Sequence, residues 1–211
     1  MTTPKTMPDK IACMVSVPKC ASHSIREMLA LGENRDDDAE APAEREIIYE
    51  NHQRLAVLER KYDLAGKYVF AFVRNPYDRL SSWYQFHSNM EPYSSSTFEQ
   101  WIKDGCLTHW AVQNATNWPA EGLTPLLQSN FLSGAKKMDF VGRMESFSDD
   151  MQRVIADLNS ICEQTGIERR FEYRELRMNR SKPHANHYTA EMKKIVFALF
   201  REDFENFGYE A

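Results

Sequence analysis

The sequence predicts an α/β protein: one domain with a mostly parallel central sheet flanked by helices. Three observations predict it. Short apolar runs with a β-branched bias alternate with segments of helical pattern, and that alternation gives a parallel sheet covered on both faces. The first run leads through a small, polar turn into a helix, a strand–loop–helix unit of the size that binds phosphate. The chain has 211 residues, of which 42% are apolar and 27% charged. That is enough for one such domain with its own core, so a single domain over residues 1–211 is expected.

The elements follow in order. Residues 1–10 are polar, carry Pro4 and Pro8, and read as a flexible N-terminus. Ile11 to Val17 is a buried strand ended by Pro18, and Ile25 to Leu31 is a helix stopped by Gly32. Residues 33–46 are acidic, contain Pro42 and read as an exposed insertion. Ile47 to Tyr49 is a second strand and Gln53 to Tyr62 a helix, broken by Gly66. Lys67 to Val73 is the clearest strand. Asn75 as N-cap, Pro76 in the first helical position and Asp78 near the positive helix end then open a helix to about Asn89. Ser96-Thr97-Phe98-Glu99 resembles a capping box for a short helix through Lys103, closed by Gly105. The pattern from Cys106 to Ser133 is weak. Asp139 to Met144 is a fourth strand, with a helix over Asp149 to Asn159 after it. Asn179 to His187 is a polar loop. Thr189 caps a final helix, Ala190 to about Asn206, with Ile195, Val196, Leu199 and Phe200 on its inner side.

Charge and cysteine usage remove several function classes. The formal charge is −5, which disfavours a general nucleic-acid binder while leaving room for a local basic pocket. No apolar run approaches the length of a membrane helix, and residues 1–10 hold no signal-peptide core. A soluble, cytoplasmic protein is expected if the chain is complete, a trimmed lumenal domain being the alternative. Cys13, Cys20, Cys106 and Cys162 show no C-x-x-C spacing, so no zinc site is expected and free thiols in a reducing compartment are. His109, His184 and His187 have no metal-ligand spacing. Tyr93, Trp110 and Trp118 suit core packing, or stacking on a sugar.

Two segments carry chemistry. In the turn Pro18 to Ser24, backbone N–H groups and a helix N-terminus converge, Lys19 adds a full charge, and Ser22 and Ser24 add hydroxyls. It is not a Walker A loop, because the string G-x-x-x-x-G-K-[ST] is absent. In the segment Arg74 to Ser82, Arg74 sits where the clearest strand ends, the edge at which open α/β sheets bind ligands. Ser82 lies two turns into the next helix, and side chains lean toward a helix N-terminus. Arg74 by its fork and Ser82 by its hydroxyl are suited to clamp one phosphate.

Together these segments resemble the PAPS-dependent sulfotransferases (PAPS is 3′-phosphoadenosine 5′-phosphosulfate), specifically the carbohydrate, Golgi-type branch and its soluble bacterial relatives. Pro18-Lys19-Cys20-Ala21-Ser22-His23-Ser24 is similar to that family's P-K-[TC]-[GA]-S-x-S loop for the donor's 5′-phosphosulfate. Val73 to Ser82 is similar to its V-R-[ND]-P-x-x-R-x-x-S segment for the 3′-phosphate. Val141 to Phe147 resembles V-G-R-x-E-x-[FL], and Asp203 to Tyr209 resembles the closing D-x-x-x-F-G-Y. Ala21 replaces the usual glycine, and His23 stands where a small residue is common.

The resemblance implies PAPS as donor, PAP (adenosine 3′,5′-bisphosphate) as product, no metal, and an acceptor hydroxyl on a small molecule or carbohydrate. It implies that Lys19 is catalytic at the donor and that Lys19 to Ser24, Arg74 and Ser82 hold it, His23 through its backbone N–H. Lysine at the bridging oxygen stabilises the charge that builds there during in-line displacement. His52 is the candidate base for the acceptor hydroxyl, and Glu50 the reserve. Arg180, Ser181 and Lys182 lie where relatives close a loop over the nucleotide. Two other readings stay open: a nucleotide-dependent phosphoryl-transfer enzyme, and a non-catalytic nucleotide-binding protein of the same fold.

Overall fold

The computed structural model describes residues 3–31, 46–88, 96–106, 127–175 and 188–211. Its elements are β1 (Ala12–Val15), α1 (Ser22–Met28), β2 (Ile47–Glu50), α2 (Leu55–Lys61), β3 (Tyr68–Val73), α3 (Pro76–His87), α4 (Phe98–Lys103), α5 (Gln128–Leu132), β4 (Phe140–Arg143), a 3-10 turn (Met144–Ser146), α6 (Phe147–Thr165) and α7 (Ala190–Phe207). They divide into two compact units, Met1–Val73 with Asn130–Met178, and Arg74–Ser129 with Asn179–Ala211.

The first unit holds the sheet. Its four strands run in the order β2-β1-β3-β4 and every pairing is parallel. The expected α/β class with a parallel sheet flanked by helices is therefore observed. All residues of β1 and β2 are buried, and all of β3 after Tyr68. A strand buried at every position has both faces covered, which is why these runs are continuously apolar rather than alternating. The chain leaves β1 toward β2 and leaves β3 toward β4. The order therefore reverses between β1 and β3, whose carboxyl ends flank the switch point where such sheets bind ligands.

The strands are shorter than their apolar runs. The Ile11 N–H goes to the Glu46 carbonyl (2.8 Å), and the ladder starts only at Ala12, opposite Ile47. Glu46, expected in the exposed acidic insertion, also pairs with Arg169 (3.2 Å); residues 33–45 lie outside the described residues. The N-terminal segment, expected as a flexible tail, is tied at Lys5. Its N–H donates to the Lys61 carbonyl (2.8 Å) and its carbonyl accepts from the Asp63 N–H (3.0 Å). Lys10 is buried.

Helix α6 starts at Phe147, just before the expected Asp149, and runs well past the expected Asn159 to Thr165. The Asp150 carboxylate accepts from the Arg143 N–H (2.7 Å) and the Ser146 hydroxyl (2.6 Å), fixing the entry. Gly166, left-handed at φ 74°, ends it. Its buried Met151, Val154, Ile155, Leu158 and Cys162 keep helical spacing throughout.

Gly142 in β4 explains part of the V-G-R resemblance by packing. A Cβ there would meet the Phe72 ring at 2.5 Å. Phe72 is buried and is held against Phe147, ring centres 5.3 Å apart. Gly142→Ala is expected to destabilise the fold by about 1–3 kcal/mol, read as a lower urea midpoint with an unchanged slope.

In the second unit, α3, α4 and α7 pack through Leu80, Trp83, Trp101, Ile102, Met192, Val196, Phe200 and Phe204. Asn75 caps α3 as expected, accepting from the Tyr77 N–H (2.9 Å), with Pro76 in the first position. The cap of α4 is Thr97 rather than Ser96. Its hydroxyl accepts from the Gln100 N–H (3.2 Å), one residue later than the expected box. Thr189 caps α7. The buried row there is Met192, Val196, Phe200 and Phe204 at four-residue spacing, with Asp203 beside it. This row leaves Leu199, expected on the inner side, 39% exposed on its flank. The sequence pattern also missed α5, a five-residue helix whose start is held by groups distant in sequence.

No described helix is long and apolar enough to cross a membrane. All four cysteines are free and buried. Burial pushes the Cys106 thiol up to about 12, so it stays protonated and inert.

Candidate active site

β1 runs through buried Ser16 and Val17 into the turn Pro18 to Ala21. Two residues of that turn are left-handed, Lys19 at φ 66° and Ala21 at φ 57°. For residues with a Cβ this conformation costs roughly 1–2 kcal/mol each. Such turns aim successive N–H groups at one point, making an anion-binding concavity. The φ of Ala21 also accounts for the glycine that the resembling family uses there, since only glycine adopts it without cost.

The turn opens into α1, whose start contrasts with that of α3. Ala21 is the N-cap of α1 but gives it no side-chain cap, and no acidic residue lies in the first turn. α3 has both, Asn75 and Asp78. The α1 end thus keeps its positive field for an external anion, while α3 is closed by its own sequence. Ser22 and Ser24 are half-buried in this first turn. His23 is exposed, and its Nδ1 accepts from the Arg26 guanidinium (3.1 Å), which turns the ring along α1. Cys20 is buried, its thiol against the Pro18 carbonyl (3.6 Å).

His52 follows β2 and is also left-handed, at φ 52°. Its Nδ1 lies 3.2 Å from the Ser16 carbonyl oxygen and 3.3 Å from the Ser16 hydroxyl. A carbonyl can only accept, so Nδ1 is the donor and carries a proton. The parallel register of β1 and β2, Val15 opposite Glu50, brings these two segments out of the sheet side by side. The candidate base is therefore tethered three residues before the candidate lysine.

Glu50, the reserve base, is otherwise engaged. One carboxylate oxygen accepts from Lys61 and the other from the Tyr62 hydroxyl, both at 2.7 Å. The residue is 8% exposed. Both of its oxygens are thus occupied, one of them in the ion pair with Lys61.

In the second unit, Arg74 is the residue after β3 and is half-buried. Its guanidinium makes no ion pair among the described residues, and its backbone is held by a residue the sequence reading did not single out. The Gln128 side-chain amide accepts from the Arg74 N–H and donates to the Arg74 carbonyl, both at 2.9 Å. Gln128 in turn starts α5. Its N–H, the Ser129 N–H and the Ser129 hydroxyl all donate to the buried Asp203 carboxylate at 2.9 Å. Asn206 adds a bond to the Ser129 hydroxyl (3.1 Å).

This gives the closing D-x-x-x-F-G-Y stretch a physical content: Asp203 caps α5, the Phe204 ring meets Tyr77 edge-on (5.1 Å between centres), and Gly208 ends α7 at φ 62°. The signal for Asp203 was available, an acidic residue on the apolar face of a helix. No local pattern pointed to Gln128.

Ser82 lies in α3 and is half-buried, with its hydroxyl outside any hydrogen bond among the described residues. The neighbouring Ser81 donates to the Tyr77 carbonyl (3.0 Å) instead. The two serines thus separate into one used by the helix and one available to a ligand. Arg79 of the same segment is 1% exposed and belongs to the interior. Arg180, Ser181 and Lys182, with the rest of Asn179 to His187, lie outside the described residues, as do Tyr93, His109, Trp110 and Trp118.

A parallel sheet with an uncapped strand–loop–helix, a lysine in the loop and a histidine tethered beside it is an arrangement suited to an anionic ligand. A model of the sulfotransferase family matches residues 6–210. The chain belongs to the sulfotransferase family, as the sequence motifs led us to expect. The structure is also similar to mouse sulfotransferase SULT7A1 complexed with PAP, at 15% identity and a TM-score of 0.37, over 96% of this chain and 67% of that one. None of the curated proteins compared with the chain matches it.

Proposed function

We propose that the chain transfers a sulfuryl group from PAPS to an acceptor hydroxyl, the acceptor being a carbohydrate. The observation that supports this most directly is the hydrogen bond between His52 Nδ1 and the Ser16 carbonyl. It fixes the ring beside the loop that carries Lys19 with Nδ1 as the donor, so that in the neutral form the lone pair is on Nε2. Ala21, Ser22, His23 and Ser24 offer backbone N–H groups, and two of them hydroxyls, to the donor's 5′-phosphosulfate, while Cys20 shapes the turn through its N–H, which donates to the Val17 carbonyl (3.3 Å). Arg74 and Ser82 take its 3′-phosphate. Arg180, Ser181 and Lys182 lie in a segment placed by resemblance near the nucleotide. The two units act as one transferase domain over residues 1–211.

The step balances without a metal. The acceptor oxygen forms a bond to sulfur, and its proton passes to His52 Nε2. The bond from sulfur to the bridging oxygen breaks, the electron pair stays on the departing phosphate, and Lys19 neutralises the charge that develops there.

Ligand-induced thermal stabilisation tests the donor assignment. At a hundred times its dissociation constant, PAP is expected to stabilise the fold by about 2.7 kcal/mol, a shift of several degrees at most. AMP should give much less, and Arg74→Ala should abolish the difference between them. An equal response to PAP and ATP would return the protein to the phosphoryl-transfer reading, and no response to either to a scaffold.

A further inference from the structure

We infer that Gln128 is a positioning residue for the donor's 3′-phosphate: its amide clasps both backbone groups of Arg74 and so sets where the guanidinium can reach. The inference rests on the proposed role of Arg74.

The geometry is that of a strand partner. In an extended chain the N–H and C=O of one residue point to the same side, and a facing residue can exchange both bonds with it. β3 pairs with β4 as far as Val73, opposite Arg143. At the next residue the Gln128 amide supplies both bonds, at 2.9 Å each. An arginine just beyond a strand would otherwise lie in free loop, its long side chain carried by a backbone with two unpaired polar groups.

A clasp fixes Arg74 only if the glutamine is itself fixed. Gln128 and Asp203 are both fully buried. The carboxylate holds the Gln128 N–H, the Ser129 N–H and the Ser129 hydroxyl, so the glutamine backbone has no freedom to slide. The Arg74 guanidinium makes no ion pair among the described residues, whereas its main chain is fully committed. That division suits a residue whose backbone is scaffold and whose head group is reserved for a ligand.

The experiment is calorimetric measurement of PAP and AMP affinities for wild type, Arg74→Ala, Gln128→Met and the double variant, each shown to be folded by its thermal transition. Methionine matches the glutamine in length and volume but has no amide. Gln128→Met is expected to weaken PAP about tenfold or more and AMP less than twofold. In the Arg74→Ala background the same change should have no further effect on PAP, because the glutamine acts through the arginine. Gln128→Asn, which keeps a buried amide but shortens its reach, should repeat the loss and serves if the methionine variant does not fold.

Equal weakening of PAP and AMP, or undiminished PAP affinity in a folded Gln128 variant, overturns the inference. If wild type does not prefer PAP over AMP, or Arg74→Ala keeps the preference, the role of Arg74 falls and this inference with it. If Arg74→Ala loses the preference and Gln128→Met keeps it, only the glutamine is wrong.

Discussion

Lys19→Ala is expected to lower kcat by about a hundredfold to a thousandfold, the range seen when one preorganised charge-stabilising donor is removed. The fold should survive. Lys19 is half-buried in a turn, and its left-handed backbone at φ 66° is no worse for alanine than for lysine. Because the charge at the bridging oxygen develops in the transition state, the loss should fall on kcat more than on the KM for PAPS. Lys19→Arg is the informative companion. It keeps the charge but spreads it over a planar fork, and should recover only part of the rate. A kcat that stays within a factor of two in Lys19→Ala would remove the lysine from the mechanism.

His52→Ala is expected to lower kcat by about a hundredfold to ten-thousandfold. Protonation of Nε2 would switch off the base, so wild-type kcat should fall on the acid side, and the variant should lack that limb. This separates a base from a histidine that merely supports the loop, whose removal would lower the rate equally at all pH values. Glu50→Gln provides the counter-test. Its carboxylate is committed to Lys61 and Tyr62, so the substitution should cost stability more than rate. If Glu50→Gln instead removed the acid limb, the base would be Glu50.

How much of this was legible in the sequence depends on whether a feature is local. Asn75 and Thr189 accept from N–H groups within three residues, and each caps its helix as expected, with Pro76 in the first position of α3. The strands were found because burial on both faces makes a continuous apolar run, and their ends were missed because those are set by partners. Nothing near Ile11 says that Glu46 takes its N–H. The motifs around Lys19 and Arg74 marked the two segments, but not why those residues are usable. The uncapped start of α1 and the Nδ1 tether of His52 are three-dimensional facts. Gln128 was invisible for the same reason. It stands in a stretch with no periodicity, and its partners are Arg74, 54 positions earlier, and Asp203, 75 positions later.

That last separation has a consequence in time. A ribosome adds about 5–20 residues per second, so Asp203 is made roughly 4–15 seconds after Gln128, given the 75 positions between them. During that interval α1, β1 and β3 are already out, while the amide that fixes Arg74 has nothing to anchor it. On the role proposed for Arg74, grip on the 3′-phosphate is therefore among the last properties the growing chain acquires. A nucleotide that depends on it rewards the finished protein and gives an unfinished one little help.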